Sequence, residues 1–580
     1  MDEFLYDKNK GSDDEVREAL LSYDVREDKE KISSEKTKLR TIWFVTRPLR
    51  DPNYFPQALE ALKEATNNFK EVWESNRPVQ KAYEQSLIDK KLKRNNISAD
   101  GSGGRTWGAM LRTYSLVYMD GGKRLVPTKA GLALLKGKKK FENLRKQLLT
   151  LQIPNSYFLS SGFRPKFEED FRIRPIRFLI KVVNSLELNF YVTKEEIIYF
   201  VLKARHDSQL QETVREIVRF RNANEQVKMK MKNEVIAIDY RSRSDKSARE
   251  FEATNGDVAH TFMLQAAYTE LVDYPKGKSL LRVKSDLSTS EEINILMDSF
   301  DKRYPFNTRY KISEARFSES AGLDIDSYKS RPITKALVAS NQSKEDKLIE
   351  EIISKYPTLL GASYSDILEV VSEHFSPKKA IDVTKIIMDK TKELTNIDDV
   401  FIDSYLNQQD NLKFEEQTVE VLKALGFVDT KYQPKPVKKN TKTGIEILIP
   451  IDDENVALID AKNYGKKFTL TANLANHMAS EYIPEYDGYD GKHVRYFGYI
   501  TASKIGGVAN LEKIIKKADE YSNLKVNGSL ISASALLGLL DYCMENDIEI
   551  EQKKSYFIEL LNDNKAYETY GEVAFRLQLT

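Results

Sequence analysis

Cysteine and histidine are scarce in this sequence, and their scarcity excludes several kinds of site. One cysteine, Cys543, and five histidines occur in 580 residues. A single cysteine excludes an intramolecular disulfide framework and a cysteine-rich metal site, and the histidines show no zinc-type spacing. Together with a charged N-terminal stretch that lacks the pattern of a signal peptide, this composition predicts a cytoplasmic protein.

Long apolar runs and a net charge of one sign are also missing. No run approaches about 18 apolar residues, so the sequence predicts no membrane-spanning helix. Lysine and arginine number 90 and the acids 88, so a nucleic-acid site can come only from local clusters of basic residues. The length suits roughly three to five domains.

The most informative stretch is a predicted β-hairpin in the last third of the chain. Two short β-rich runs, Ile445–Pro450 and Val456–Ala461, flank the polar turn 451–455. This pattern is typical of a hairpin with a loop of about five residues. The second run is apolar on both faces, which indicates a buried central strand.

The register of the hairpin decides which side chains meet. Pairing Pro450 with Val456 places Glu446 opposite Asp460, and Lys462 lies on the same face as Asp460. Two carboxylates and an amine therefore converge at the end of the hairpin. Mg²⁺ is held by one or two carboxylates together with phosphate oxygens and water, and a neighbouring lysine can orient an attacking water. The alternative is a solvated strand end without a catalytic role, which is common for short motifs of this kind.

A second candidate site lies near the N-terminus, where a predicted helix is followed at once by a two-stranded ribbon. The helix includes Arg105–Tyr114, and the strands Leu116–Met119 and Lys123–Thr128 are joined by the turn Asp120–Gly122. Thr128 is a candidate N-cap for the next helix. This order of elements is the outline of a winged helix, in which the helix before the wing can enter a major groove.

Four basic residues of this unit are candidates for DNA contact. Arg105 and Arg112 are seven residues apart and lie on one face of the helix, and Lys123 and Arg124 begin the second strand of the ribbon. The alternatives are ordinary solvated charges on a small α+β domain, or a winged helix that docks another protein.

A similar unit is predicted further along the chain. The helix Arg249–Leu271 precedes a ribbon formed by residues 272–274 and 279–283, with the turn Pro275–Lys278 between them. The segment before this helix carries basic residues among small hydroxyl residues, which suits a phosphate track. Its candidate DNA contacts are Arg241, Arg243, Lys246 and Arg249. The alternative is a solvated loop.

The remaining patterns complete the organisation. Thr41–Thr46 is a strand candidate, and apolar-periodic helices between Ser343 and Leu394 predict a packed helical spacer. The last third begins with a predicted helix, Leu412–Leu425, that Gly426 ends. The elements predicted after the hairpin are a helix at Ala472–Tyr482, a strand at Val494–Thr501, a helix at Leu511–Tyr521, a strand at Ser529–Ser532 and a helix at Ala533–Cys543.

The last third resembles the PD-(D/E)xK nuclease core, which has an acid-bearing helix followed by two strands that carry acids and a lysine. From Thr41 onward, the chain is similar to the AlwI group of type IIS restriction endonucleases, which includes the nicking enzyme N.BstNBI and has a layout similar to that of FokI. The stretches that carry the resemblance are Trp43–Val45, Leu111–Val117, Ile217–Asn222, Glu420–Phe427, Glu446–Leu448 and Asp460–Lys462.

The resemblance implies a Mg²⁺-dependent endodeoxyribonuclease that binds a short asymmetric site in double-stranded DNA and cuts a fixed distance downstream. It implies that Glu446 and Asp460, with Glu420 from the preceding helix, bind Mg²⁺, and that Lys462 positions the attacking water. In one respect the sequence departs from the family, because Gly444 occupies the position of the first strand acid. Either Glu446 takes over that role or the site is impaired.

These expectations define a multidomain α+β protein. Winged-helix DNA-binding units are expected at 1–150 and 151–310, a helical linker at 311–404, and an α/β PD-(D/E)xK domain with a central mixed sheet at 405–580. One nuclease site cuts one strand, so double-strand cleavage needs a transient dimer on DNA or a second nuclease subunit. The alternatives are a strand-specific nicking endonuclease and a non-catalytic DNA-binding protein with a decayed nuclease domain, which Gly444 favours.

Overall fold

The described residues of the computed structural model form two compact units. Residues 39–579 are described except 161, 164, 240–247, 276, 284–286, 331–347, 349–350, 353, 358–363, 392–396, 439–443 and 464–466. Within these residues, the first unit comprises 39–119, 123–306 and 318–330, and the second comprises 120–122, 307–317 and 348–579. No described helix is both long enough and apolar enough to cross a membrane.

The first unit is mainly helical. Its helices are Phe55–Ala65, Arg77–Asp89, Ser102–Thr113, Lys129–Leu135, Lys140–Thr150, Ser156–Leu159, Pro175–Val183, Lys194–Glu196 with a π-helical turn at Ile197–Val201, Leu210–Asn222, Glu225–Ala237, Ala248–Tyr268, Leu287–Arg303 and Ile325–Ser330. The helix Glu314–Ala321 runs from the second unit into the first.

The predicted helix and ribbon near the N-terminus are confirmed as secondary structure. The helix Ser102–Thr113 is followed by β1 (Val117–Met119) and β2 (Leu125–Pro127), which pair antiparallel. Thr128 caps the next helix, because its Oγ1 accepts a hydrogen bond from the Gly131 amide at 3.1 Å. The assignment of these elements as a winged helix stays a prediction.

The pairing predicted for the second ribbon is confirmed only as one antiparallel bridge, between Asp273 and Arg282, and the second run has a different main partner. The strand β4 (Leu280–Arg282) pairs antiparallel with β3 (Tyr191–Thr193), which lies far earlier in the chain. Within the described residues, the predicted hairpin partner contributes a single bridge between Asp273 and Arg282. The helix predicted before the ribbon is present as Ala248–Tyr268. A local pattern therefore located β4 but could not reveal its main partner, because that pairing is long-range.

The strand predicted at Thr41–Thr46 is also wrong. This segment forms no strand in the described structure, although it is largely buried. Trp43 is 1% exposed, and its indole N–H donates to the carbonyl oxygen of Ala204 at 2.5 Å. The β-rich composition of the segment therefore reflects burial against helices rather than sheet pairing.

The second unit combines helices with one large sheet. Its helices are Tyr364–Ser372, Pro377–Thr391, Asp399–Leu406, Asn411–Ala424, Ala472–His477 with a π-helical turn at Met478–Tyr482 and a last turn at Ile483–Tyr486, Asn510–Ser522, Ala533–Glu545, Ile550–Leu561 and Tyr570–Leu577. The first two of these helices share a small core of their own, which fits the predicted packed spacer. Gly426 adopts φ +103° just after Asn411–Ala424, as predicted for the residue that ends this helix.

The predicted central mixed sheet is confirmed. Its strands, in spatial order, are β12 (Ala566–Tyr567), β11 (Asn527–Ser532), β9 (His493–Thr501), β7 (Asn455–Lys462), β6 (Ile447–Pro450) and β5 (Lys431–Tyr432). The strands β5, β6 and β7 are antiparallel neighbours, and β7, β9, β11 and β12 are parallel neighbours. A separate parallel pair consists of β8 (Lys467–Thr469) and β10 (Lys504–Gly506).

The central strand β7 is buried on both faces, as its composition predicted. Ile459 and Ala461 belong to the core on one side of the sheet, and Val456 and Leu458 belong to the core on the other side. Asp460 follows the alternation of Val456 and Leu458, so the strand places a carboxylate in an otherwise apolar layer. A buried carboxylate is costly unless it is paired, protonated or bound to a cation.

Candidate active site

The hairpin register predicted from the sequence is confirmed. Pro450 pairs with Val456, and Ile447 pairs with Ile459, in the antiparallel pair β6–β7. Extending this register by one residue places Glu446 opposite Asp460 at the end of the pair. The two strands are joined by a short polar turn, so the register follows from the turn and from the burial of both strands.

One ammonium group joins the two acids. The Nζ of Lys462 lies 2.9 Å from Oε1 of Glu446 and 2.6 Å from Oδ1 of Asp460. The side chain of Asp460 is 2% exposed, that of Glu446 is 16% exposed and that of Lys462 is 21% exposed. The three predicted residues therefore converge in a largely desolvated site, where charges interact more strongly than in water.

Burial and a neighbouring negative charge act together on Asp460. Burial raises the pKa of Asp460 well above its usual range, and the charge of Glu446 raises it further, while Lys462 opposes both effects. For Lys462, burial acts to lower the pKa, but the charges of Asp460 and Glu446 outweigh it, so its pKa is raised. The amine is therefore an ammonium at neutral pH, and it offsets part of the repulsion between the two acids.

The donor set fits a hard divalent cation. Oε2 of Glu446 is buried and, among the described residues, accepts no hydrogen bond. Two neighbouring carboxylates with a free buried oxygen favour the binding of a cation, and Mg²⁺ accepts one or two carboxylates when water and phosphate complete its shell. No group of three or more His, Cys, Asp or Glu side chains within the described residues is arranged to hold a metal ion. The protein would therefore supply two direct ligands, and other oxygens would come from water and substrate.

Glu420 is not among the residues that the structure brings together. It lies on the helix Asn411–Ala424 and forms an ion pair at 2.9 Å with Lys423 of the same helix. The acid of this helix that interacts with the site is Glu415. Burial raises the pKa of Glu415, and the charge of Glu446 raises it further. Glu415 is only 8% exposed.

A sequence signal for Glu415 exists in the pattern of its helix. Glu415 shares a face with Val419 and Leu422, four and seven residues further on, and these two residues belong to the core. An acid on the apolar face of a helix is unusual, because burial of an unpaired charge is costly. Glu420 lies off that face, so helical periodicity favours Glu415 over Glu420 as the acid that points inward.

Two tyrosines that the sequence reasoning missed border the site. Tyr499 on β9 lies beside Asp460 in the sheet register. Burial, followed by the charges of Asp460 and Glu446, raises the pKa of Tyr482 to about 12. The pKa of Tyr499 is also raised, by burial and then by Asp460. Both phenols are therefore neutral at physiological pH and form part of the wall around the acids. Neither residue has a motif that would distinguish it in the sequence.

Gly444 lies next to a tyrosine hydroxyl rather than beside Asp460. A Cβ atom at residue 444 would lie 3.1 Å from Oη of Tyr486. That hydroxyl accepts a hydrogen bond from the Ile445 amide at 3.1 Å and donates to the carbonyl oxygen of Pro434 at 2.8 Å. The glycine therefore leaves room for Tyr486, and Glu446 is the strand acid next to Asp460.

Two of the predicted DNA contacts form exposed ion pairs. The guanidinium of Arg105 lies 2.8 Å from Asp100, and it also donates to Oε1 of Gln80 at 2.9 Å. Lys123, in the turn between β1 and β2, lies 2.7 Å from Glu74. Exposed pairs of this kind contribute little to stability.

The other predicted DNA contacts differ in their surroundings. The guanidinium of Arg112 lies over the ring of Tyr157, 4.7 Å from its centroid. Arg124 is exposed and forms a backbone bridge with Val72. Arg241, Arg243 and Lys246 lie outside the described residues, as does the side chain of Arg249.

Two family models match the chain. The model described as AlwI restriction endonuclease matches residues 121–443, which is more than half of the 580 residues. The model described as FokI, cleavage domain, matches residues 378–564, a range that includes Glu446, Asp460 and Lys462. No curated protein matches the chain.

Two solved structures are similar to the chain. A complex of pyrene- and phenanthrene-modified DNA with the BpuJ1 endonuclease binding domain is 14% identical, with a TM-score of 0.33, and the match covers 50% of this chain and 98% of that chain. Restriction endonuclease FokI bound to DNA is 11% identical, with a TM-score of 0.21, and the match covers 96% of this chain and 98% of that chain. These TM-scores are too low to carry a structural argument, so the comparison rests on the two family models.

Proposed function

The chain belongs to the AlwI restriction endonuclease family, and we propose that Glu446, Asp460 and Lys462 form its Mg²⁺-dependent nuclease centre. The protein is a type IIS restriction endonuclease, a site-specific deoxyribonuclease that binds and cleaves DNA. One observation supports the proposed centre above others. Two carboxylates from neighbouring strands share the ammonium of Lys462 at 2.9 and 2.6 Å, inside the range that matches the FokI cleavage domain.

Each residue of the centre has a role that follows from its chemistry. Glu446 and Asp460 would hold the cation, and Lys462 would orient the attacking water and offset the charge that develops on the phosphate. When bound, Mg²⁺ would supply Lewis-acid chemistry. Glu415, on the adjacent helix, would add a further negative charge near these residues. Hydrolysis leaves 5′-phosphate and 3′-hydroxyl ends.

The N-terminal unit supplies recognition in this proposal. The helix Ser102–Thr113 and the ribbon β1–β2 act as a winged helix on double-stranded DNA, with Arg105, Arg112, Lys123 and Arg124 facing the duplex. Arg241, Arg243, Lys246 and Arg249 form a second phosphate track. Cleavage then takes place a fixed distance downstream of a short asymmetric site.

Double-strand cleavage requires a second nuclease centre. The proposed centre holds one pair of carboxylates around Lys462, and one such centre hydrolyses one strand at a time. We therefore expect a transient dimer on DNA or a second nuclease subunit. A strand-specific nicking enzyme is the alternative, since it needs no second centre.

A supercoiled plasmid assay tests the proposal. Wild type with Mg²⁺ is expected to convert plasmid to linear or nicked DNA, and Asp460→Ala is expected to leave it supercoiled while still binding DNA. Linear product supports dimerisation, and accumulation of nicked circles supports the nicking alternative. Identical plasmid patterns for wild type and Asp460→Ala would overturn the proposed centre and favour a decayed nuclease domain, the reading suggested by Gly444.

A further inference from the structure

A hydrogen-bonded network beside the acids has no role in the centre as described so far. The hydroxyl of Tyr432, on the edge strand β5, donates to Oε2 of Glu415 at 3.1 Å. The side-chain amide of Gln433 donates in turn to the Tyr432 hydroxyl at 3.1 Å. Glu415 is therefore held by the hydroxyl of Tyr432, which the amide of Gln433 orients in turn.

The backbone of Gln433 ties this network to the strand acid. Its N–H donates to the carbonyl oxygen of Glu446 at 2.7 Å. Tyr432 pairs with Ile447, the residue after Glu446, in the antiparallel pair β5–β6. The same dipeptide thus contacts Glu415 through the side chain of Tyr432 and Glu446 through the backbone of Gln433.

Gln433 adopts a backbone conformation that a glutamine rarely takes. Its φ of 46° lies in the left-handed region, which is unfavourable for a residue with a Cβ. A glycine would relieve that strain.

We propose that Tyr432 and Gln433 are positioning residues that aim the Glu415 carboxylate at the cation site and hold the Glu446 strand end in register with it. This inference rests on the proposed function, because it gives the two residues a role only if Glu446 and Asp460 bind a cation. Without the Tyr432 hydroxyl, or the Gln433 amide that orients it, Glu415 would lose its fixed orientation, and the negative potential at the site would become weaker and less ordered. Groups that orient metal ligands in this way typically change metal affinity or activity about 10- to 100-fold.

The chain offers a matched control at the opposite edge of the sheet. Tyr567 on β12 donates its hydroxyl to Oδ2 of Asp563 at 2.6 Å. Both tyrosines therefore lie on edge strands and bond a carboxylate, but β12 and β5 are at opposite ends of the strand order. Tyr567→Phe removes the same atom from the same kind of contact without touching the network at Glu415.

The experiment measures the binding of Mn²⁺ in the absence of DNA, and electron paramagnetic resonance reports the concentration of unbound Mn²⁺. The full-length proteins compared are wild type, Tyr432→Phe, Gln433→Gly, Tyr567→Phe and Asp460→Asn. We expect Tyr432→Phe and Gln433→Gly to raise the Kd for Mn²⁺ about 10-fold or more, and Tyr567→Phe to leave it within about twofold. Gln433→Gly is expected not to lower the melting temperature, because glycine tolerates the backbone conformation. Raised Mg²⁺ should restore much of the plasmid cleavage lost in both variants.

Two different failures can be told apart. If wild-type binding of Mn²⁺ does not depend on Asp460, the proposed centre is wrong. If Asp460→Asn abolishes binding but Tyr432→Phe and Gln433→Gly bind Mn²⁺ as tightly as wild type, only the positioning role is overturned. The positioning role is also overturned if Tyr567→Phe weakens Mn²⁺ binding as much as Tyr432→Phe does. It is overturned as well if circular dichroism shows that the weakly binding variants have lost their folded structure.

Discussion

Arg309 and Asp541 form a buried ion pair at 2.8 Å although 232 residues separate them in the chain. Asp541, on the helix Ala533–Glu545, is 2% exposed, and Arg309 is 8% exposed. Asp541 also accepts a hydrogen bond at 2.9 Å from the amide of Ile397. The carboxylate of Asp541 thus binds two segments that precede the sheet in the chain. Its helix follows five of the six strands of that sheet.

Replacing Asp541 with asparagine is expected to lower the free energy of unfolding of the second unit by about 3 kcal/mol. Loss of one partner of a buried pair leaves an uncompensated charge, and Asp399, 3.4 Å from Arg309, offsets only part of it. Urea denaturation followed by circular dichroism measures the change. Glu551→Gln removes an exposed partner of Lys554 and should cost less than about 0.5 kcal/mol. If both variants lost the same free energy of unfolding, the buried Arg309–Asp541 pair would not be more important for stability than an exposed pair.

The two acids of the helix Asn411–Ala424 make opposite predictions. Glu415→Gln should reduce Mg²⁺-dependent cleavage about 10- to 100-fold, because its carboxylate is buried and interacts with Glu446. The cleavage rate of Glu420→Gln should stay within about twofold of the wild-type rate, because Glu420 pairs with Lys423 on its own helix. Rates of supercoiled plasmid loss under single-turnover conditions compare the two variants. A larger loss of cleavage in Glu420→Gln than in Glu415→Gln would support Glu420, the acid that the family resemblance implies, as the residue of this helix that acts in the site.

Replacing Lys462 with methionine separates its two effects. Cleavage should be lost, because no ammonium remains to orient water or offset phosphate charge. Without divalent cations, the variant should also be less stable by about 2 kcal/mol, since Glu446 and Asp460 then repel each other in a buried site. Ca²⁺ should raise the melting temperature of the variant more than that of wild type, as measured by differential scanning fluorimetry. An equal Ca²⁺ shift in both proteins would show that the lysine does not compensate the acids.

The first unit contains an acid whose contribution to stability depends on pH. Burial acts to raise the pKa of Asp301, but the charges of Arg177 and Lys181 outweigh it, and the net effect is a lowered pKa. Arg177 lies 2.8 Å from Asp301, and Lys181 lies 2.5 Å from it. A lowered pKa in the folded state means that the contribution is complete above the unfolded value of about 3.9 and disappears as the pH falls through the folded value.

Wild type and Asp301→Asn should therefore differ in stability by a constant amount above about pH 5, and the difference should shrink below about pH 4. Urea midpoints measured from pH 3 to 7 test this expectation. Asp326→Asn, which removes the acid that pairs with Lys139 on the surface, is the control and should show little pH-dependent difference. A difference between wild type and Asp301→Asn that grows as the pH falls would contradict the lowered pKa.

The hairpin is the part of the site that local sequence determined most fully. Its turn length and the alternation of apolar residues specify a register, and a shift of one residue would have moved Glu446 to the other face. That is why Glu446, Asp460 and Lys462 were identified as neighbours from the sequence alone. The helix ended by Gly426 and the ribbon after Ser102–Thr113 were predictable for the same reason, since each depends on residues close together in the chain.

Other parts of the fold depended on contacts that no local pattern encodes. The strand β4 pairs along its length with β3, which lies far earlier in the chain, and the partner predicted from the turn adds one bridge. The short strands β5 and β12 were not predicted, and they have too few residues for any periodicity to appear. The buried segment at Thr41–Thr46 was mistaken for a strand because burial and strand formation favour the same apolar residues.

By itself, then, the sequence determined the paired acids, the lysine beside them and the alternating elements of the sheet, because the periodicities of strands and helices are local properties of the chain. Only the tertiary structure decided that the Tyr432 hydroxyl donates to Glu415, that the Gln433 backbone N–H donates to Glu446, and that Asp541 meets Arg309. Those choices depend on which surfaces pack together, and packing is a property of the whole folded unit rather than of any one segment.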